Sequence, residues 1–246
     1  MAVNLCIDWG NNFVKAGLFE AGNLTASYTY PSHDALIRII DLVDEHMPAY
    51  AILSSVSGKS AELESLLMPK VKKLIVMTDR TPLPIMNAYS SDSVGVDRLA
   101  MAVGAYNEYP GKNNLVVCLG TCITYNFIQN NRTFRGGAIS PGLHMRLKAM
   151  HEFADKLPAV GIDGETLLLG YDTETCMRSG AVYGIVSEVD GMVNEFKSKY
   201  SDFNAVLTGG DMAYFAGKLK CEIFADPDII LKGLNIILKH NVPQAA

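Results

Sequence analysis

Three short apolar runs open the chain, and their lengths and polar breaks predict strands over 3–7, 13–19 and 24–30. The first run ends in Asp8-Trp9-Gly10-Asn11 and the second is followed by Gly22-Asn23, which reads as a meander with a polar loop at its first bend. Helical spacing then covers 35–46, a short apolar strand 51–55, a helix 60–68 and a strand 71–77. Alternating strands and helices of this kind belong to an α/β sheet. Leu99, Ala102, Val103 and Tyr106 fall on one helical face, so Gly95-Val96-Asp97-Arg98 lies at the start of that helix.

The opening pattern then repeats. Strands are predicted over 115–119, 123–128 and 133–139, with Gly120-Thr121 at the first bend and Asn130-Asn131 at the second. Two strand-glycine-strand-turn-strand units imply two halves of one topology, 1–111 and 112–246, divided near Gly111. Beyond them a helix is predicted over 141–154, a loop over 157–170, a long helix over 173–200 and a strand over 205–208 that runs into Thr208-Gly209-Gly210-Asp211. Asp226 as N-cap with Pro227 at the first helical position predicts a last helix, with Ile229, Ile230, Leu234, Ile237 and Leu238 as its buried stripe.

Composition narrows the function more than the fold. The formal charge is −5 and no Lys/Arg run exceeds Lys72-Lys73, which argues against a nucleic-acid partner. Cys6, Cys118, Cys122, Cys176 and Cys221 lack the spacing of a zinc site and the density of a disulfide scaffold, so they read as reduced thiols of a cytoplasmic protein. Asp8 interrupts the first apolar run and no apolar segment is long enough to cross a bilayer, so neither a standard export signal nor a membrane role is expected.

Four places have the residue types of phosphate chemistry. In Asp8-Trp9-Gly10-Asn11-Asn12, with Lys15 behind it, Gly10 admits close backbone approach to an anion and Asp8 can hold a metal; an ordinary polar hairpin explains this loop equally well. Gly120-Thr121 repeats the glycine at the matching bend, where the threonine hydroxyl can reach phosphate oxygens. Thr208-Gly209-Gly210-Asp211 leaves backbone N–H groups open for a nucleotide base or ribose, or is simply a strand-to-helix turn that needs positive φ. Asp97-Arg98 pairs a potential base with a cation, although an acid near a helix start is also a common solvated arrangement. No Gly-x-Gly-x-x-Gly, P-loop or Gly-x-Ser-x-Gly pattern is present, and His33, His46, His144, His151 and His240 show no ligand spacing.

Together these segments resemble the type III pantothenate kinases, in order and over almost the whole chain. The resemblance is carried by the Asp8 loop, Tyr89 with Gly95-Val96-Asp97-Arg98, Gly120-Thr121 and Gly136-Gly137-Ala138-Ile139-Ser140-Pro141-Gly142. Leu157-Pro158, Asp172-Thr173, Thr208-Gly209-Gly210 and Leu231-Lys232-Gly233-Leu234 extend it. It implies duplicated actin-like (ribonuclease H-like) domains with a nucleotide cleft between them, a homodimer with active sites at its interface, and ATP-dependent phosphorylation of pantothenate, the first step of coenzyme A biosynthesis. By the same resemblance Asp97 is the catalytic base, and Tyr89, Gly95, Val96, Asp97, Arg98 and Thr173 bind pantothenate, Thr173 from the partner subunit. Asp8, Trp9, Gly10, Asn11, Asn12, Phe13, Val14, Lys15, Gly120, Thr121, Gly209 and Gly210 bind ATP, whose Mg2+ is held by Asp8, directly or through water.

The chain departs from the family at four positions. Asn12 replaces a threonine and Asp172 an asparagine. Cys118 stands where the family places the aspartate of a monovalent-cation site, and Asn126 replaces a second common aspartate. A thiol is a poor ligand for K+, so the K+ or NH4+ site is expected to be missing or filled from other oxygens. Two other readings remain: a kinase for another small alcohol, and a catalytically weak regulatory or binding relative of the same fold, favoured by Cys118 and Asn126 and opposed by Asp8, Asp97, Arg98 and Thr121.

Overall fold

The computed structural model describes residues 2–55, 60–91 and 94–245. It forms two compact units. One comprises Met1–Asn114, Asn126–Gly136 and Asp228–Ala246, the other Leu115–Tyr125 and Gly137–Pro227. The chain thus crosses between units more than once, because its last helix returns to the first.

In the first unit, β1 (Val3–Trp9), β2 (Phe13–Glu20) and β3 (Asn23–Pro31) form the expected meander. They are joined by β4 (Tyr50–Ser55) and β5 (Lys73–Val76) in the order β3-β2-β1-β4-β5. β1 runs antiparallel to β2 and parallel to β4, and that register sets Asp8 beside Lys15 on one side and Ser54 on the other. The period-2 pattern of β1 decides its two faces. Leu5, Ile7 and Trp9 join the core with Ile39, Leu42 and Val43 of α1 (Ala35–His46) and Leu63 and Leu67 of α2 (Ala61–Leu67). On β1's other face, Asn4 donates from Nδ2 to Asn235 Oδ1 of α7 (Ile229–Asn241) at 3.1 Å and to the carbonyl of Ala245 at 2.8 Å. α7 also packs on α3 (Val96–Glu108).

The later strands are β6 (Met86–Asn87), β7 (Asn113–Leu119), β8 (Cys122–Ile128), β9 (Thr133–Pro141), β10 (Phe203–Thr208) and β11 (Phe224–Ala225). They are ordered β11-β10-β7-β8-β9-β6. In the second unit α4 (Leu143–Phe153) packs on α5 (Thr173–Lys199), and the short α6 (Met212–Ala216) follows β10. Asp172 caps α5 as both acceptor and donor. Its Oδ1 accepts from the backbone N–H of Thr175 at 2.8 Å, and its own N–H donates to Thr175 Oγ1 at 3.1 Å.

Three expectations shift. The last helix starts at Ile229 behind Asp228, not at Asp226-Pro227, because the Asp226 N–H donates to the carbonyl of Leu207 at 2.9 Å and keeps the chain extended past β11. The first meander turns at Ala21 and Gly22 (φ 48° and 83°), and Asn23 already belongs to β3. The second turns through Arg132 (φ 69°), whose N–H donates to the carbonyl of Gln129 at 3.0 Å, so the turn extends past Asn130-Asn131. β6 carried no periodic signal; the N–H groups of its Met86 and of Ala88 just after it donate to the carbonyls of Arg132 and Phe134, and Tyr89 follows directly.

Candidate active site

The first unit brings both acidic candidates into one electrostatic environment. Asp8 ends β1, where Ser54 Oγ donates to its Oδ1 at 3.2 Å. Burial, and then the negative charge of Asp97, push the Asp8 carboxyl up to about 7 against the opposing effects of Ser54 and Lys15. Burial also raises Asp97, opposed by the backbone N–H and guanidinium of Arg98. Asp97 lies in the first turn of α3, and Gly95 is the residue that leaves space for its carboxylate: a Cβ there would strike Asp97 Oδ1.

Arg98 is held by more than charge. Its side chain is buried, its Nε donates to Oδ1 of the fully buried Asn126, and its guanidinium lies 5.7 Å from the ring centre of Tyr89 and 5.9 Å from that of Phe134. A buried cation on two aromatic faces is strongly oriented. Gly136, at φ 86°, lies against Tyr89 so closely that a Cβ would come within 2.8 Å of its ring. Tyr89, Arg98, Asn126, Phe134 and Gly136 therefore form one packed platform next to Asp97. Asn126, which the sequence offered only as a lost aspartate, is a structural partner of Arg98.

The loop that starts at Gly10 is closed by a hydrogen bond from the Gly10 N–H to the carbonyl of Phe13 at 3.1 Å. It is tied to β3's end by the Ser32 N–H, which donates to the carbonyl of Asn12 at 2.9 Å. Asn11, Asn12 and Phe13 are exposed, whereas the side chains of Trp9 and Val14 lie in the core. At those two positions only backbone is left to meet a ligand. The Trp9 Nε1–H is buried without a hydrogen-bond partner among the described residues.

In the second unit three glycine turns meet at the end of β7. Gly120 donates to the carbonyl of Cys122 and Gly142, which begins α4, donates to that of Thr121, both at 3.1 Å. A Cβ on Gly142 would strike the Gly120 carbonyl. Gly209, at φ 101°, lies against the backbone of Leu119, whose carbonyl accepts from the Asp211 N–H at 3.0 Å. Gly210 faces open space. At Gly142 and Gly209 a side chain would run into backbone, so only glycine permits these turns to pack so closely. Arg146 braces the arrangement through Nε to the Pro141 carbonyl at 2.9 Å and an ion pair with Glu188, which also accepts from Tyr125 and Ser140. Cys118 is half-buried on β7.

Thr173 is the first residue of α5. It lines a separate cavity of about 550 Å3 with Met150, Leu157, Tyr171, Cys176 and Met177. Residues the sequence reading missed include Ser54 and Phe134. Ser54 carries no local signal, since only the parallel register of β1 and β4 brings it to Asp8.

Among the described residues no group of three or more His, Cys, Asp or Glu side chains gathers as a metal cage. That donor set fits Mg2+ carried by nucleotide phosphates and water with Asp8 alone beside it, which is how Mg2+ is commonly held in phosphoryl transfer. The raised Asp8 carboxyl gives a stability test. Because its folded value lies above the unfolded one, Asp8 favours folding less as pH rises from about 4 to 7. Asp8→Asn is expected to raise the unfolding free energy at pH 8 by about 1–3 kcal/mol and to lose that gain below pH 3, as read by urea denaturation without nucleotide.

A family model described as type III pantothenate kinase matches residues 4–195. A Bacteroides fragilis type III pantothenate kinase is 39% identical over 244 residues, covering 97% of this chain and 98% of its own. Relatives of the same description from Christiangramia forsetii and Porphyromonas gingivalis are 38% and 35% identical, each over 98% of this chain and 100% of their own. Among solved structures, one described as a Baf family transcriptional activator from Campylobacter jejuni superimposes with a TM-score of 0.63 at 20% identity, covering 98% of this chain and 99% of its own. Component A of (R)-2-hydroxyglutaryl-CoA dehydratase from Acidaminococcus fermentans does so with a TM-score of 0.54 at 13% identity, covering 100% and 99%. These structural likenesses establish the fold, that of the actin-like ATPases and sugar kinases.

Proposed function

The chain belongs to the type III pantothenate kinase family, and we propose that it transfers the γ-phosphoryl group of ATP to the hydroxyl of pantothenate, giving 4'-phosphopantothenate and ADP. The observation that carries this reading is the Asp97 carboxylate, raised by burial and set beside an Arg98 fixed on Tyr89, Phe134 and Asn126. Asp97 accepts the hydroxyl proton as that oxygen bonds to the γ-phosphorus and the bond to the β-phosphate oxygen breaks. A raised carboxyl is a stronger base than an exposed one. Arg98 and Tyr89 orient the acceptor, so the hydroxyl is presented to Asp97 rather than to water. The Gly10 loop with Lys15 in the first unit, and the turns at Gly120-Thr121 and Gly209-Gly210 in the second, are the segments this reading assigns to ATP. Bound Mg2+ supplies charge neutralisation on the phosphate oxygens, and Asp8 is the residue that would orient it.

Product formation from pantothenate, ATP and Mg2+, measured beside other small alcohols, tests the reaction. A higher kcat/KM for a different alcohol would reassign the acceptor. The same reading makes the protein a cytoplasmic homodimer in which Thr173 reaches the partner's pantothenate. Support comes from the apolar surface around Thr173, where Leu168, Leu169 and Tyr171 are all more than 70% exposed.

Monovalent cations give an independent expectation. With a thiol at position 118, turnover is expected without added K+ or NH4+, and Cys118→Asp is expected to create stimulation by K+ of about tenfold or less. Rates in Na+-only and K+-containing buffers check both parts. Strict K+ dependence of the unmodified protein would mean that other oxygens complete the site.

A further inference from the structure

One carboxylate in the second unit gathers donors from three different elements. Glu188, half-buried in the middle of α5, accepts through Oε1 from the Tyr125 hydroxyl of β8 at 3.0 Å. Its Oε2 accepts from the Ser140 hydroxyl near the end of β9 at 3.0 Å and from the Arg146 guanidinium of α4. These contacts close on one another, because Arg146 Nη2 also donates to Ser140 Oγ at 3.1 Å while its Nε holds the Pro141 carbonyl. Gly184, one turn earlier on α5, leaves room for the guanidinium: a Cβ there would stand 3.4 Å from Nη1. Burial, and then the charge of Glu188, push the Tyr125 hydroxyl up, so it remains a donor.

The segments so gathered are those that enclose Gly120-Thr121. β8 leaves that turn at Cys122, and Pro141 passes directly into Gly142, whose N–H donates to the Thr121 carbonyl. Glu188 thus reaches the turn from both sides, through Tyr125 on the strand that follows it and through Ser140 and Arg146 on the residues that pack against it. Stability does not require this. α4 already buries Leu143 and Leu147 and packs on α5, and an apolar replacement for a partly buried ion pair is often no less stable. What apolar packing cannot supply is direction, whereas charge-assisted hydrogen bonds from a planar guanidinium fix both distance and angle.

We propose that Glu188 is a positioning residue for phosphoryl transfer, which through Tyr125, Ser140 and Arg146 sets the place of the Gly120-Thr121 turn against the phosphates of the donor. This rests on the kinase reading, which assigns that turn to ATP, and deepens it by naming the side chain that holds the turn in place. Acting through the turn, Glu188 affects the nucleotide and not the Tyr89-Arg98 platform, which belongs to the first unit.

Glu188→Gln keeps the side chain's shape and removes the charge that holds Arg146. Its kcat/KM for ATP is expected to fall about tenfold or more, the scale of a displaced contact, while KM for pantothenate holds. The affinity of the full chain for ADP, measured calorimetrically without pantothenate, weakens in parallel. Arg146→Met is expected to give the same loss, and the double variant no more than either single, because the two side chains act as one unit. Tyr125→Phe fills the same space and lacks only the hydroxyl; it is expected to give a smaller loss of the same kind, and it carries the test if Glu188→Gln does not fold. Unchanged ATP kinetics and ADP affinity would overturn the proposal, as would equal losses for ATP and pantothenate, or losses that multiply in the double variant. Thr121→Ala separates this from the reading beneath it. Weaker ADP binding there beside an unchanged Glu188→Gln sinks the positioning role alone, whereas no change in either variant also withdraws the turn from ATP. ADP binding needs no acceptor, so an error about pantothenate leaves these outcomes intact.

Discussion

Asp97→Asn is expected to lower kcat by about 10^2–10^4-fold, the range for losing a positioned general base, with KM for ATP and pantothenate changed much less. The amide keeps the shape of the carboxylate in the space that Gly95 leaves for it, so the first turn of α3 need not move. It removes proton acceptance alone. Burial works against the native carboxylate, so the amide is also expected to hold or raise thermal stability rather than reduce it. Loss of turnover with intact stability and substrate binding is the combination that identifies a base. A pH profile sharpens this: the wild-type kcat/KM falls on the acid side as Asp97 takes up its proton, at a pH displaced upward from that of an ordinary aspartate, and the residual rate of the variant lacks that limb. If Asp97→Asn retained more than a tenth of kcat, the proton would have to leave through water.

Much of this site was legible because phosphate chemistry leaves local marks. Glycines at Gly10, Gly120 and Gly209, and the Asp97-Arg98 pair at a helix start, are readable from spacing, and the repeated meander showed that the first two belong to matching bends. What spacing cannot reveal is which residues long-range packing brings beside them. Ser54 meets Asp8 only through parallel pairing across the sheet. Asn126 and Phe134 meet Arg98 through β8 and β9, so an asparagine that looked like a missing charge is a buried acceptor for Arg98. The boundary errors have the same origin. Asp226-Pro227 has the residue types of a helix start, but the hydrogen bond from Asp226 to Leu207 prevails over local preference. Trp9 and Val14 show the converse, since residues flanking a candidate loop can point their side chains into the core.

The close approach of two helices carries the second large effect. Gly104 of α3 and Gly233 of α7 face each other so closely that a Cβ on Gly233 would strike the Ala100 carbonyl oxygen and come within 3.0 Å of the Gly104 nitrogen. Backbone cannot yield as a flexible side chain does, so Gly233→Ala must separate the helices. It is expected to destabilise the protein by about 2–3 kcal/mol, as overpacking does, read as a lower urea midpoint. Helix propensity alone would give the opposite sign, because alanine is favoured over glycine by about 0.5–1 kcal/mol in a helix. Gly191→Ala supplies that comparison: Gly191 is an exposed position of α5 with open space for a Cβ, and its replacement is expected to stabilise. The displacement also reaches catalysis. α7 is tied to β1 through Asn235 and Asn4, and α3 begins with the Asp97 turn, so moving α3 from α7 moves Asp97 relative to Asp8 at the end of β1. Misplacement of reacting groups by about 1 Å can cost up to about 10^2-fold in rate, so kcat of Gly233→Ala measured well below its melting temperature is expected to fall about tenfold or more. Destabilisation with an undiminished kcat would mean that α7 yields alone and α3 holds its place on the sheet.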